Sequence, residues 1–196
     1  LNKLIAIATI SLLSGGISMA QKALNLEDIV AGNVIQTKGI GSMTWLKDGE
    51  RYSRLENNKQ TGGTDIVAYQ AKDNSREVII PSSLLTDKST GKPIPARSIS
   101  WSADNEKVLI YNNTQRVWRY DTRGDYWVLN LKDGALRQLG KGMPESSMMF
   151  AKFSPDGTRV AYVSNNNIYV EDINSGKITQ LTSDGSKTIV NGTFDW

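Results

Sequence analysis

Neither histidine nor cysteine occurs anywhere in the 196 residues of this chain. Without cysteine there is no disulfide, no thiolate nucleophile and no cysteine-ligated metal site. Without histidine the usual general base and the commonest metal ligand are gone. A Ser-His-Asp triad cannot be assembled from this chain alone. Charge of one sign is also lacking: 23 basic residues stand among 20 acidic ones, net +3, with no basic stripe. That removes the electrostatic footprint of a nucleic-acid partner. Nor is there an apolar run long enough to cross a bilayer, which takes about twenty residues. What is present suits a globular chain with a core of its own, 39% hydrophobic and 22% charged.

The first twenty residues have the order of an address. Lys3 precedes the apolar run Leu4 to Leu13, then come Ser14-Gly15-Gly16 and the small residues Ser18 and Ala20 around Met19. This is the arrangement of a secretory signal peptide, residues 1–20, with cleavage expected after Ala20 and no membrane contact thereafter. No cysteine follows the run, which excludes a lipoprotein anchor. Gly16-Ile17-Ser18-Met19-Ala20 mimics a nucleophile elbow, but it sits at the cleavage site rather than between a strand and a helix. A chain opening on Leu1 instead of Met is expected to lack its true start.

Residues 21–38 carry Leu24, Leu26, Ile29 and Val30 around Glu27 and Asp28, the spacing of one or two helical turns. From Gly39 onward the pattern is that of strands and turns. Phe153-Ser154-Pro155-Asp156-Gly157 ends an aromatic strand in a tight turn, since proline presets φ and glycine accepts positive φ. Val160 and Tyr162, then Ile168 and Val170, alternate around the turn-forming run Ser164 to Asn167. Asn174-Ser175-Gly176 turns again, and Ile178 and Leu181 open another strand. Trp101-Ser102-Ala103-Asp104-Asn105 begins the same plan, followed by Val108 and Ile110, by Tyr126, Val128 and Leu129, by the turn Lys132-Asp133-Gly134, and by Leu136 and Leu139. A weaker copy starts at Thr44-Trp45 and Lys47-Asp48-Gly49 and runs through Ile66, Val67 and Tyr69 to Val78, Ile79 and Ile80. Phe194-Asp195-Trp196 announces one more.

The anchors Trp45, Trp101, Phe153 and Trp196 therefore recur every 43 to 56 residues. Repeats of about 40–50 residues with four strands each mark a β-propeller. The expected fold is all-β: an incomplete propeller over 39–196, with blades about 39–95, 96–145 and 146–190 and the start of another at 191–196. An accidental β-sandwich would not repeat the whole order of aromatic, turn, strand and Gly turn. Three blades cannot close a ring and leave sheet edges and apolar faces open, so a truncated chain and self-association are expected.

Several stretches together resemble the propeller domain of the dipeptidyl peptidase IV family of serine exopeptidases. They are Leu24-Asn25-Leu26-Glu27-Asp28-Ile29, Thr44-Trp45-Leu46-Lys47-Asp48-Gly49, Val117-Trp118-Arg119, Phe153-Ser154-Pro155-Asp156-Gly157, Asn167-Ile168-Tyr169-Val170 and Ile189 to Trp196. The Ser-Pro-Asp-Gly turn alone is common to many periplasmic propellers. Its combination with Asn191-Gly192-Thr193-Phe194-Asp195-Trp196 is more specific. The resemblance implies a parent, periplasmic or secreted, that removes amino-terminal dipeptides, preferably after proline. The prolyl tripeptidyl peptidases share the architecture. It also implies peptide substrates with a free amino terminus, a hydrolase domain elsewhere in the parent chain, and dimers. The matching Val-Tyr-Glu-Glu-Glu-like stretch and the hydrolase domain are not in this sequence, so the chain alone is expected to be inactive.

The resemblance further implies that Arg119, after Trp118, points into the central cavity and binds a substrate carbonyl near the amino end of the peptide. Its fork of N–H donors suits that task. Tyr120-Asp121-Thr122-Arg123 departs from the family's usual continuation, leaving Arg116 and Arg123 as competitors, and pairing of Arg119 with Asp121 or Asp125 as the structural alternative. Trp118, Tyr120, Tyr126 and Trp127 could form a base-stacking platform, but alternation along strands reads better as blade core. Gly176-Lys177-Ile178-Thr179 lacks the spacing of a phosphate loop. Asp104, Glu106 and Asp156 sit in turns, where such side chains satisfy backbone N–H groups. No metal and no cofactor are expected. The rival reading is a non-enzymatic periplasmic propeller that only binds or scaffolds, as TolB-type proteins do.

Overall fold

The computed structural model of the chain describes residues 25–30, 39 and 41–194. The expected signal peptide and the anchor Trp196 fall outside them. The chain divides into two units, Leu1–Gly39 and Ile40–Trp196. In the first, the described residues include a single short helix, α1 (Leu26–Val30), with Leu26, Ile29 and Val30 exposed.

The second unit is antiparallel β. One four-stranded sheet runs in order through β1 (Met43–Trp45), β2 (Arg51–Asn57), β3 (Thr64–Gln70) and β4 (Arg76–Ile80). A 3-10 turn at Ser82–Leu84 and a small hairpin, β5 (Thr86–Asp87) with β6 (Lys92–Pro93), lead to the next sheet. There β7 (Ser98–Trp101), β8 (Lys107–Val117), β9 (Tyr120–Asn130) and β10 (Leu136–Gln138) pair in the same succession. β11 (Met148–Phe153), β12 (Arg159–Ser164), β13 (Asn167–Asp172) and β14 (Ile178–Gln180) repeat it, joined to the preceding four in one eight-stranded sheet through the β9–β11 pair. Among the described residues these strands make three blades, which do not close into a ring.

The same hydrogen bonds recur in each blade, and the sequence explains why. After the first strand, the N–H of Leu46, Ser102 and Ser154 donates to the carbonyl of Arg51, Lys107 and Arg159. Gly49, Asn105 and Gly157 occupy the position with φ of 70°, 59° and 65°, where glycine costs least and asparagine is tolerated. Asp48, Asp104 and Asp156 accept backbone N–H groups two residues on, from Glu50, Glu106 and Thr158. These carboxyls are held below the ordinary range, chiefly by side-chain donors: Arg51 for Asp48, Ser102 for Asp104, and Ser154 for Asp156, which falls to about 2. The turn between third and fourth strands also repeats, with Asn74, Gly134 and Gly176 at positive φ. Ala71, Leu131 and Ile173 N–H then donate to the carbonyls of Glu50, Glu106 and Thr158, tying the two turns together.

Blades pack face to face, with one apolar seam on each side of the middle one. Ile66, Ile80, Leu85 and Ile94 meet Val108, Ile110 and Leu129 in the first seam. In the second, Leu109, Tyr126 and Val128 meet Met148, Ala151, Val160 and Tyr162. Along β8, Val108, Leu109 and Ile110 are all buried, because neighbouring side chains point to opposite seams. Glu171 crosses the second seam: its carboxylate accepts from Gly140 N–H at 2.8 Å and Tyr162 hydroxyl at 3.2 Å, and pairs with Arg137 at 3.3 Å. Each blade also carries a directly opposed tyrosine pair on its two middle strands: Tyr52–Tyr69, Tyr111–Tyr126 and Tyr162–Tyr169, stacked at 5.5, 4.7 and 5.8 Å. Such pairs add about 0.5–1.5 kcal/mol beyond burial.

Candidate functional site

The middle blade departs from its neighbours between its second and third strands. In the last blade that link is a two-residue turn, Asn165 and Asn166, both at positive φ, as a type I′ hairpin requires. In the middle blade β8 and β9 run on for 11 residues each. Beyond the pair Asn112–Asp125 the ladder shifts register twice and then closes at Val117–Tyr120. Bulges of this kind bend a hairpin and re-aim its tip. The result is an arm standing out from the blade, with Trp118 and Arg119 as its two loop residues.

The root of the arm is clamped. Gly124 lies where no side chain fits: a Cβ there would sit 2.4 Å from the Tyr111 ring and 2.6 Å from the Asn112 carbonyl. The same glycine is the point at which β9 meets Met148 of β11. Asp125, buried, accepts from Asn113 Nδ2 at 2.7 Å and from Ser146 N–H at 2.8 Å, binding the arm to the loop before β11. The Tyr111 hydroxyl donates to the Asp121 carbonyl at 2.9 Å, and Arg97 pairs with the Asp121 carboxylate at 3.3 Å.

At the tip, Trp118 has φ of 61° while Arg119 stays at negative φ. That is the pattern of a type II′ turn, whose first loop position favours glycine. A tryptophan there costs on the order of 1–3 kcal/mol. Arg116 Nε donates to the Trp118 carbonyl at 3.0 Å. The Arg119 guanidinium carbon lies 4.3 Å from the centre of the Trp118 ring, a cation–π contact. The arm overhangs a largely apolar cavity of about 580 Å³, whose lining includes Trp118, Arg119, Tyr120, Met149, Phe150 and Phe194.

Of the three arginines that the sequence singles out, only Arg119 lines this cavity. Arg116 is engaged with the Trp118 carbonyl, and Arg123 lies further down the arm, exposed. The acids proposed as structural partners of Arg119 are taken by other groups, Asp121 by Arg97 and Asp125 by Asn113 and Ser146. The expectation that Trp118 and Tyr120 belong to the blade core is overturned, because they are 77% and 73% exposed. Strand alternation continues up the arm past the edge of the blade, so alternation alone does not show where burial stops. Tyr126 and Trp127, nearer the blade centre, do pack into the seams. Phe150, which no motif marked, faces the same cavity with φ of 55°. Among the described residues, no three of His, Cys, Asp and Glu stand together as a metal site, and no helix is long and apolar enough to cross a membrane.

Residues 102–196 match the family model described as the dipeptidyl peptidase IV N-terminal region. A probable dipeptidyl-aminopeptidase B from Aspergillus terreus is 26% identical over 192 residues, covering 93% of this chain and 21% of the relative. One from Podospora anserina is 34% identical over 95 residues, 48% of this chain and 10% of the relative. The chain thus spans about a fifth or less of the length of these curated relatives. The crystal structure of Porphyromonas gingivalis dipeptidyl peptidase 4 superposes with a TM-score of 0.67 at 22% identity, over 85% of this chain and 22% of that one. Just under half of the chain, residues 102–196, is thus similar to the dipeptidyl peptidase IV N-terminal region, and its fold is similar to that of a dipeptidyl peptidase 4.

Proposed function

We propose that this chain is the peptide-orienting propeller portion of a secreted serine exopeptidase that removes amino-terminal dipeptides, preferably after proline. The observation that carries the proposal is Arg119 at the tip of the clamped arm, lining the cavity with its guanidinium stacked on the Trp118 ring. A fixed fork of donors there can hold a carbonyl oxygen near the amino end of a peptide. Holding that oxygen sets which later carbonyl reaches a nucleophile. The chemistry has to come from another domain, because a chain with no histidine cannot build the triad. In such a domain a serine attacks the carbonyl after the second residue, expels the rest of the peptide and is freed by water. The relatives' name, dipeptidyl-aminopeptidase, supports this reading over a propeller that only binds. Secretion follows from the signal-peptide order of residues 1–20.

The test compares wild type with Arg119→Ala in the protein that carries this chain and a hydrolase domain together. The substrate is a Gly-Pro chromogenic amide. A charge-assisted hydrogen bond contributes about 1.5–3 kcal/mol, so kcat/KM is expected to fall about tenfold or more with the fold intact. Turnover of Ala-Ala-Pro amides but not Gly-Pro would move the protein to tripeptide release. Silence on both would overturn the peptidase reading.

A further inference from the structure

We infer that Trp118 is a positioning residue: its ring holds the Arg119 guanidinium in the orientation that meets substrate, an inference that rests on Arg119 binding a substrate carbonyl. Three observations converge on it. Trp118 is 77% exposed, so it does not serve the core. It occupies a backbone position at φ 61° that glycine fills with least strain, and strain retained at a site points to a task performed there. Its ring lies 4.3 Å from the Arg119 guanidinium carbon.

The chemistry of the contact fits the task. A ring beneath the guanidinium carbon occupies none of its five N–H donors, all of which stay available to oxygen acceptors. An exposed arginine otherwise samples many rotamers and loses that freedom when it grips a ligand. A contact that restricts it beforehand lowers the cost of binding. The backbone is restrained as well, since Arg116 Nε holds the Trp118 carbonyl at 3.0 Å and with it the peptide plane leading into Arg119. Ring and carbonyl clamp together fix both the base and the head of one side chain.

The experiment is a double-mutant cycle in the intact peptidase, using Trp118→Gly, Arg119→Ala and the double variant on a Gly-Pro amide. Trp118→Gly suits the left-handed position, so the melting temperature is expected to stay level or rise. Loss of the cation–π contact is expected to lower kcat/KM about three- to tenfold in the wild-type background. In the Arg119→Ala background the same substitution is expected to change nothing further, because Trp118 acts through Arg119. Trp118→Phe keeps a ring and is expected to recover part of the loss. Equal losses in both backgrounds would overturn the inference, since Trp118 would then act on its own. So would a Phe variant no better than Gly, or full activity of Trp118→Gly while Arg119→Ala is impaired. In that last case the role of Arg119 survives. Full activity of Arg119→Ala would instead remove the reading on which the inference stands.

Discussion

Asp156 shows how much one turn residue can be asked to do. Its carboxylate accepts from the Ser154 hydroxyl, and from both the backbone N–H and the hydroxyl of Thr158. These donors favour the charged form, which is why its pKa falls from 3.8 to about 2. A carboxyl depressed in the folded state stabilises that state above its unfolded value. The contribution is lost as pH falls from about 4 to about 2. Carbon-detected titration of Asp156 should give a midpoint near 2, and Ser154→Ala should move it upward, toward 3.8. A midpoint unmoved by that substitution would show that the serine is not the main cause. The residues of this turn were legible because the geometry demands them: Asp to cap, Gly or Asn for positive φ. Arg119 could be named as a candidate only through resemblance, since an exposed arginine leaves no imprint on hydrophobic alternation.

At the scale of elements, the arm carries the candidate site and Gly124 carries the arm. Alanine at 124 would press a methyl group against the Tyr111 ring and, less forgivingly, the Asn112 carbonyl oxygen. Gly124→Ala is expected to cost about 1–3 kcal/mol by overpacking, read as a lower unfolding midpoint. It should also cut activity on Gly-Pro amides more than a surface substitution of equal thermal effect, because the arm is displaced at its root. Retained activity at the lowered midpoint would show that tip and root are uncoupled. Most blade strands could be found from apolar alternation. β2 could not, since Arg51–Asn57 offers only Tyr52 and Leu55 among polar residues. Nor could the length of the arm, where Asn112 to Arg116 is polar and the bulges break register.

Three blades in a row bury two seams and leave two flanks. Met43, Trp45 and Val78 stay exposed on the first blade, and Leu181 and Ile189 on the segment that follows the last strand. Edges and apolar faces of this kind recruit other chains. The 196-residue chain produced alone should therefore sediment as concentration-dependent oligomers, and a stable monomer with one sharp melt would refute that. The repeat was visible in the sequence because each blade reuses the same two turns. The flanks were foreseeable for the same reason: identical units meet only their neighbours.

The middle blade is gripped by a seam on each face, while its hairpin projects past both. It behaves as a lever. From Asn112 to Val117 the projecting strand spans at most about 17 Å, five steps of about 3.3 Å. A tilt of about three to four degrees at the fulcrum swings the tip by about 1 Å, and in enzymes a misplacement of that size can lower the rate about a hundredfold. Packing changes at Val108, Leu109 or Leu129, all remote from Arg119, would then be felt as lost aim well before they are felt as lost stability.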